Sequence, residues 1–201
     1  MNSSAVDNIR YVLGVAHTIL IPLGMLYWFV IHGWAREWRK IGAARTYLIV
    51  LPVLMILGVP LFRMRQTLLG HDLRANWALI AIAAILCVPM MWLEIQYWKH
   101  VNISMLAGVP EVSLHGPGKL LCEGVYGIVR HPRYLSAGIG EIVTALIVNY
   151  LGFYLLLLAA VLLGVWMLKL EERELVERFG EDYRRYQRNV PSLIPRWPKS
   201  A

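Results

Sequence analysis

The amino-acid sequence predicts an all-α integral membrane protein with about five transmembrane helices, a C-terminal helical hairpin and a cytoplasmic amphipathic tail helix. Of its 201 residues, 58% are hydrophobic and only 16% are charged, whereas about a quarter of the residues of a soluble domain are charged. The mean hydropathy is +0.52. Several apolar stretches are also close to the roughly 20 residues that a membrane-spanning helix needs. Because these stretches take up most of the chain, we expect one integral membrane domain at 1–201.

Within that domain, residues 1–121 are predicted to form three N-terminal spans and a connection, and residues 122–201 a hairpin and its tail. A polar lead-in at 1–10 precedes the first span. The five spans are predicted at Tyr11–Ile31, Thr46–Phe62, Trp77–Trp98, Pro132–Val148 and Phe153–Leu170. The intervening loops are predicted at Arg36–Arg45, Arg63–Arg74 and Lys99–Leu121. Prolines inside the first three spans are compatible with crossing the membrane, because neighbouring helices satisfy the freed backbone groups.

The last two spans are separated only by the short turn 149–152, which predicts a helical hairpin. A hairpin brings its two ends back to the same side of the bilayer. We therefore expect Arg130, His131 and Tyr134 to meet Glu171 and Glu172, although about forty residues separate them. Ionisable groups at the mouth of an apolar hairpin mark a functional site by default.

The tail from Glu171 to Arg188 is predicted to continue the fifth span as one amphipathic helix. Its apolar face at helical spacing consists of Leu175, Phe179, Tyr183 and Tyr186. Pairs four residues apart, Glu174 with Arg178 and Glu181 with Arg185, are predicted on the wet side. The apolar face either rests on lipid or folds back over the hairpin mouth as a lid, with residues 190–195 closing against the site.

The distribution of basic residues predicts the orientation in the membrane. With five spans, the N-terminus, the second loop and the hairpin turn share one side, which holds only four of the twenty Lys and Arg residues: Arg10, Arg63, Arg65 and Arg74. Positive residues favour the cytoplasmic face, so the motif at 130–134 and the C-terminus are expected to be cytoplasmic. The same pattern accounts for the net charge of +7 without a nucleic-acid partner. Cys87 and Cys122 suit neither a disulfide framework nor a metal site.

The residues at the start of the fourth span have complementary chemistry. Pro132 suits the first turn of a helix, and the free N–H groups of that turn, beside Arg130 and Arg133, would favour an anion. His131 and Tyr134 lie one helical turn apart, and the two glutamates would accept hydrogen bonds from hydroxyl or ammonium groups. Together they suit a carboxylate, a flat ring and a ribose or amine, which are the parts of S-adenosylmethionine. The alternative is an inert helix cap that pairs with two interfacial glutamates.

At these residues the chain resembles the isoprenylcysteine carboxyl methyltransferase and phospholipid N-methyltransferase group. The resemblance rests on Arg-His-Pro-Arg-Tyr at 130–134, then an apolar hairpin, then Glu171-Glu172. It continues through Phe179-Gly180, Tyr183, Tyr186, Val190-Pro191 and Ile194-Pro195, and so covers about the C-terminal third of the chain. Two departures from the pattern weaken assignment to the carboxyl-methylating branch. Val125 stands where the family often has Pro, and Asn149-Tyr150 stands where that branch tends to have Asn-Pro.

The resemblance implies an integral membrane enzyme that takes a methyl group from S-adenosylmethionine without a Rossmann domain. It implies that His131, Tyr134 and Glu172 hold the cofactor, with Arg130 and Glu171 close by. Tyr126, in the turn just upstream, is also predicted to bind the cofactor. Two alternatives stay open at this point: an NADPH-dependent membrane reductase of the sterol-reductase type, which carries a similar turn, and a non-catalytic membrane scaffold.

Methyl transfer needs alignment and exclusion of water more than acid–base chemistry. A carboxylate acceptor would need an arginine such as Arg130 to orient it, whereas an amine or thiol must lose a proton. Glu141, two turns beyond Tyr134, is predicted to serve in catalysis, and Glu94 is assigned to the interface. His17 and His32 are assigned to packing or the interface. We expect a lipid-like or hydrophobic small-molecule acceptor and contact with membrane lipids, and the methylated atom (O, N or S) stays open.

Overall fold

The computed structural model describes residues 3–101, 103–106, 108–109 and 120–195. The helices are α1 (Ser3–Gly33), α2 (Ala35–Ile41), α3 (Ala43–Arg63), α4 (Arg65–Leu69), α5 (Trp77–Trp98), α6 (Ile103–Leu106), α7 (Pro132–Val148), α8 (Leu151–Phe179) and α9 (Glu181–Asn189). A 3₁₀ turn, Gly124–Gly127, precedes α7. In these ranges the regular elements are all helical, which confirms the predicted fold class. The predicted connection from Lys99 to Leu121 lies largely outside the described residues.

Among the described residues, four helices are long and apolar enough to cross a membrane: Ala5–Gly33, Ala43–Arg63, Trp77–Trp98 and Leu151–Phe179. The chain is therefore a multi-pass membrane protein. The remaining predicted span, α7, has 17 residues, which at about 1.5 Å per residue is close to the shortest length that crosses a bilayer. The count of five spans stays a prediction.

Three details of the sequence-based assignment are corrected. The lead-in at 1–10 is helical from Ser3 onwards and continues directly into α1. The loop at 36–45 contains the short helix α2. The tail is not one helix, because Gly180 has a φ of +61° and a ψ of −130°, a conformation that essentially only glycine adopts without strain. This residue separates α8 from α9 and turns the chain there.

The N-terminus, the second loop and the hairpin turn meet at one end of the helices, as predicted. Arg10 is only 1% exposed; its Nε donates to the carbonyl oxygen of Val148 at 3.1 Å, and its guanidinium pairs with Asp7 and Asp72. Asn149 ends α7 with a φ of +51°, and its side-chain amide donates to the carbonyl oxygen of Arg74 at 2.8 Å. These contacts tie the hairpin turn to α1 and to the second loop.

We expect Arg10→Met to lower the free energy of unfolding by about 2 kcal/mol, because the three hydrogen bonds of its guanidinium are lost and the half-exposed aspartates recover only part of the loss through water. The measurement is thermal unfolding of the purified protein in detergent. Arg63→Met, which removes an exposed arginine at the end of α3, is the matched control. Equal melting temperatures of the two variants would contradict a structural role for Arg10.

The hairpin packs on the N-terminal helices through α5 against α7 and α1 against α8. The Ser136 hydroxyl on α7 donates to Glu94 on α5, and Trp98 Nε1 donates to the other carboxylate oxygen of Glu94 at 3.1 Å. Glu94 therefore joins two helices and is not among the described residues that line the cavity described next.

Candidate active site

A cavity of about 770 Å³ lies among α1, α7 and α8. One end, the mouth, is lined by residues of the 130–134 motif and by Glu171, and the other end by His17 and Glu141. Each of the three helices contributes a glycine to the wall (Gly24, Gly138 and Gly164), and a Cβ added at any of them would meet nothing within 4 Å. Part of the cavity is therefore open because these three wall positions are glycine and carry no side chain. Its size is in the range of pockets that hold small molecules.

The predicted meeting of the motif with the two glutamates is observed at the mouth. Arg130 Nε donates to Glu172 Oε1 at 2.9 Å, and His131 Nε2 lies 3.1 Å from the same oxygen. Gln187 Nε2 donates to Glu172 Oε2 at 3.2 Å. The Glu172 carboxylate therefore accepts from three side chains of the motif and the tail. We call Arg130, His131, Glu171 and Glu172 the mouth cluster.

His131 is 4% exposed and lies between both glutamates, with its Nδ1 3.6 Å from Glu171 Oε1. Burial by itself would lower the pKa of His131, but the two carboxylates beside it outweigh burial and raise the pKa to about 9. At neutral pH the ring is therefore an imidazolium with a hydrogen on each nitrogen.

The two glutamates differ in what they face. Glu171 lines the cavity, whereas Glu172 is not among the described lining residues. Tyr134 also lines the cavity; its ring meets that of His131 edge-on at 5.7 Å, and its hydroxyl interacts with Glu171. The structure therefore places Glu171 and Tyr134 on the wall and Glu172 behind His131.

The tail folds back onto the motif. The backbone N–H groups of Arg130 and His131 donate to the carbonyl oxygens of Pro191 and Ser192 at 2.8 and 3.1 Å. Arg130 Nη1 donates to the carbonyl oxygens of Gln187 and Val190. Arg130 is therefore engaged by Glu172 and the tail, and it also lines the cavity; that it orients an acceptor stays a prediction.

Tyr126 is held by the same tail. The Tyr186 hydroxyl donates to the backbone carbonyl of Tyr126 at 2.6 Å, and the Tyr126 ring lines the cavity. Tyr183 and Tyr186 are 1% and 7% exposed. The predicted apolar face of the tail thus packs against protein at these two residues, and Leu193 beyond it also lines the cavity.

Residues of α1 form a wall of the cavity that the sequence analysis missed. His17 and His32, assigned there to packing or the interface, both line it, together with Trp28. Trp28 stacks on His32 with ring centroids 4.9 Å apart, and the Arg133 guanidinium lies 4.4 Å from the Trp28 ring centroid. The signal was present in the sequence, because the lining positions 17, 21, 24, 28 and 32 follow helical spacing.

The two pairs predicted on the wet side have different outcomes: Glu174 pairs with Arg178 as predicted but is buried, whereas Glu181 pairs with other arginines. Glu174 is 4% exposed and pairs with Arg39 of α2 as well as with Arg178 at 3.6 Å. Glu181 pairs with Arg188 at 2.7 Å and with Arg184 at 3.9 Å, rather than with Arg185. The buried Glu174 thus docks α2 on α8 instead of facing water.

The pH dependence of stability should report on His131. Because its folded pKa of about 9 exceeds the ordinary value, its contribution is fully present below about pH 6.5 and is lost as the pH rises through 9. We expect the melting temperature to fall over this range, and to fall less in His131→Gln. Burial raises the pKa values of three nearby tyrosines, Tyr126, Tyr183 and Tyr186. They therefore stay neutral over this pH range and do not contribute to the change in melting temperature. If the melting temperatures of the unsubstituted protein and of His131→Gln fall equally as the pH rises, the raised pKa of His131 does not cause the change.

The lining fits a ligand that is polar at one end. Among the described residues, neither ring nitrogen of His32, near the mouth, has a hydrogen-bond partner although both are buried, and buried polar groups are costly unless a partner satisfies them. The mouth supplies charged groups, and the glycines leave room for a flat or bulky group. These features fit S-adenosylmethionine, which combines an amino acid, a ribose and an adenine.

A bundle of apolar helices with an ionisable cluster at the mouth of a large cavity defines a class, namely membrane proteins that bind a partly polar small molecule between their helices. Comparison with known proteins identifies the family within this class. The phospholipid methyltransferase family matches residues 78–182, just over half of the 201-residue chain. The chain belongs to this family.

Individual relatives are similar over shorter parts. Methanethiol S-methyltransferase of Pseudomonas deceptionensis is 43% identical over 121 residues, which cover 60% of this chain and 42% of the relative. Methanethiol S-methyltransferase 1 of Bradyrhizobium diazoefficiens is 36% identical over 111 residues, 50% of this chain and 36% of the relative. Protein-S-isoprenylcysteine O-methyltransferase of Schizosaccharomyces pombe is 34% identical over 80 residues, 39% of this chain and 34% of the relative. The matched part spans less than half the length of each of these relatives.

Proposed function

We propose that the protein is an S-adenosylmethionine-dependent membrane methyltransferase that acts on a small hydrophobic acceptor. The observation that carries this proposal is the mouth cluster, which combines an imidazolium, two carboxylates and an arginine at the opening of an apolar cavity. Membership of a methyltransferase family supports it, and neither the reductase nor the scaffold alternative gains support from the relatives.

In this proposal the cofactor supplies a methyl group already activated on a sulfonium, so the protein has to bind, align and exclude water. Glu171 and Tyr134 on the cavity wall, with the buried His131 beside them, bind the polar groups of the cofactor, and the Tyr126 ring packs against it. Glu172 holds His131 and Arg130 in place from behind. Arg130 retains the tail over the mouth.

A thiol is the acceptor that we favour. Two of the relatives described above are methanethiol S-methyltransferases, and the departures at Val125 and Asn149-Tyr150 already weaken the carboxyl-methylating alternative. Most of the cavity wall between mouth and inner end is apolar, which suits a small neutral thiol that enters from the membrane.

Calorimetric titration of the purified protein with S-adenosylhomocysteine tests the proposal. We expect saturable binding and no binding of NADPH, followed by transfer of a labelled methyl group from S-adenosylmethionine to ethanethiol. Binding of NADPH alone would favour the reductase alternative. Binding of neither compound would favour the scaffold.

We also propose that the mouth cluster and the C-terminus are cytoplasmic, because few basic residues lie at the end where Arg10, Asp72 and Asn149 meet. A reporter fused after Ala201 that is active only outside the cytoplasm should be silent. The same reporter fused before Met1 should be active and serves as the control. The opposite pattern would mean that the orientation or the number of spans is wrong.

A further inference from the structure

The inner end of the cavity contains two ionisable side chains that the mouth cluster does not use. His17 on α1 and Glu141 on α7 both line this end, and we call the pair the inner pole. Glu141 lies nine residues beyond Pro132, which is about 13 Å of helix rise from the mouth. The wall around the inner pole is apolar, formed by Leu20, Ile21, Ile142, Leu157 and Val161 among others.

The hydrogen-bonding state of the inner pole leaves polar atoms available to a ligand. Glu141 Oε2 is buried and has no hydrogen-bond partner in the part of the chain that the structure describes. His17 Nδ1 lies 3.0 Å from the carbonyl oxygen of Leu13, and since a carbonyl only accepts, Nδ1 carries a proton; in the tautomer with no second proton, Nε2 keeps a lone pair. The His17 ring and the Glu141 carboxylate lie close enough to interact electrostatically. An ionisable pair of this kind inside a membrane domain indicates a function.

The charges of the lining residues restrict the acceptor. Among the described lining residues, the arginines Arg130, Arg133 and Arg178 all lie towards the mouth. A carboxylate acceptor at the inner pole would therefore meet Glu141 with no guanidinium beside it. A charged ammonium would have to be desolvated in an apolar cavity. A thiol avoids both costs, because it is neutral and carries a hydrogen that it can donate to Glu141.

We infer that the inner pole is the acceptor subsite and that Glu141 is the proton acceptor for a thiol, an inference that rests on the proposed function. The acceptor sulfur forms a bond to the methyl carbon while its S–H bond breaks and the proton passes to Glu141 Oε2. The methyl–sulfonium bond breaks, and its electron pair stays on the cofactor sulfur. The negative charge of Glu141 and the positive charge of the sulfonium both disappear, which an apolar cavity favours.

His17 is a positioning residue in this scheme. Its Nε2 lone pair accepts the hydrogen bond that Glu141 can donate once it carries the proton, and so keeps the carboxyl group directed into the cavity. His17→Gln retains an acceptor near this place and should keep more of the turnover number than His17→Leu, with little change in KM for the thiol. If both variants lose the same fraction of the turnover number, His17 contributes only to packing and does not position Glu141.

The decisive test compares two thiols in Glu141→Gln. Ethanethiol is mostly protonated near neutral pH, whereas thiophenol is largely ionised and needs no base. We expect the methylation rate of ethanethiol to fall by about a hundred-fold or more and that of thiophenol by less than tenfold. Affinity for S-adenosylhomocysteine should stay within two-fold of the original, which also shows that the variant is folded. Thr144→Val, which removes a polar group of the same helix outside the cavity lining, is the matched control.

A second readout does not depend on turnover. The infrared difference spectrum of ethanethiol binding to the S-adenosylhomocysteine complex should contain a carboxyl band that Glu141→Gln abolishes. Equal losses with both thiols, or an unchanged spectrum, would overturn the inference, as would an original protein that binds S-adenosylhomocysteine but methylates neither thiol. If the original protein does not bind S-adenosylhomocysteine, the proposed function itself fails.

Discussion

Replacing Glu172 by glutamine is expected to lower the affinity for S-adenosylhomocysteine by about ten- to a hundred-fold. The Glu172 carboxylate accepts hydrogen bonds from Arg130 and Gln187 and lies within hydrogen-bond distance of His131. A neutral amide loses the charge of these bonds and turns an N–H₂ group towards one of the donors. A lost charge-assisted hydrogen bond costs about 1.5–3 kcal/mol, which corresponds to this range of affinities. His131→Ala, which removes the other partner of the His131–Glu172 contact, should lower the affinity for S-adenosylhomocysteine by a similar factor.

Calorimetric titration in detergent measures both effects, with monodispersity checked by size-exclusion chromatography. Glu37→Gln is the matched control, because it makes the same substitution at an exposed glutamate of α2 that pairs with Lys40. The control should bind like the original protein. Near-native binding by Glu172→Gln and His131→Ala would mean that the mouth cluster serves only the fold.

Deleting the residues after Gln187 is expected to weaken S-adenosylhomocysteine binding by at least tenfold while the spans still insert. The deletion removes the carbonyl groups of Val190, Pro191 and Ser192, which accept hydrogen bonds from Arg130 and His131. It also removes Leu193 from the cavity wall. The site would then lose backbone partners of its two central residues and part of its protection from water.

A shorter deletion, after Pro195, is the matched control because it leaves those three carbonyl groups and Leu193 in place. Both truncated chains and the full chain are titrated at equal detergent concentration and monodispersity. If the chain that ends at Gln187 binds within about two-fold of the full chain, the tail does not act as a lid.

The sequence by itself determined the membrane helices and the pairing of the motif with the two glutamates. Apolar stretches of spanning length leave a chain little alternative to helices in a bilayer. The turn at Asn149 is so short that Arg130 and His131 had to return close to Glu172. The resemblance at 130–134 and 171–172 likewise needed only the order and spacing of residues.

Only the tertiary structure decided which faces of the helices form the cavity. A span that is apolar on most sides gives little periodic signal for its rotation. The shared helical face of His17, Trp28 and His32 does not by itself distinguish a cavity wall from a packed interface, so both histidines were assigned to packing or the interface. The distinction between Glu171 on the cavity wall and Glu172 behind it has the same origin, because adjacent residues of a helix differ by about 100° of rotation. The helix α1 lies outside residues 78–182, which match the family, yet it completes the site.

The break between α8 and α9 at Gly180 is a second feature that the sequence pattern did not predict. The helical pattern of Leu175, Phe179, Tyr183 and Tyr186 continues across it, so the local sequence favoured one helix. The positive φ at Gly180 and the docking of Tyr186 on Tyr126 instead turn α9 onto the motif. Periodicity records which residues share a face of a helix, whereas the direction of a chain after a glycine depends on contacts that only the folded protein brings together.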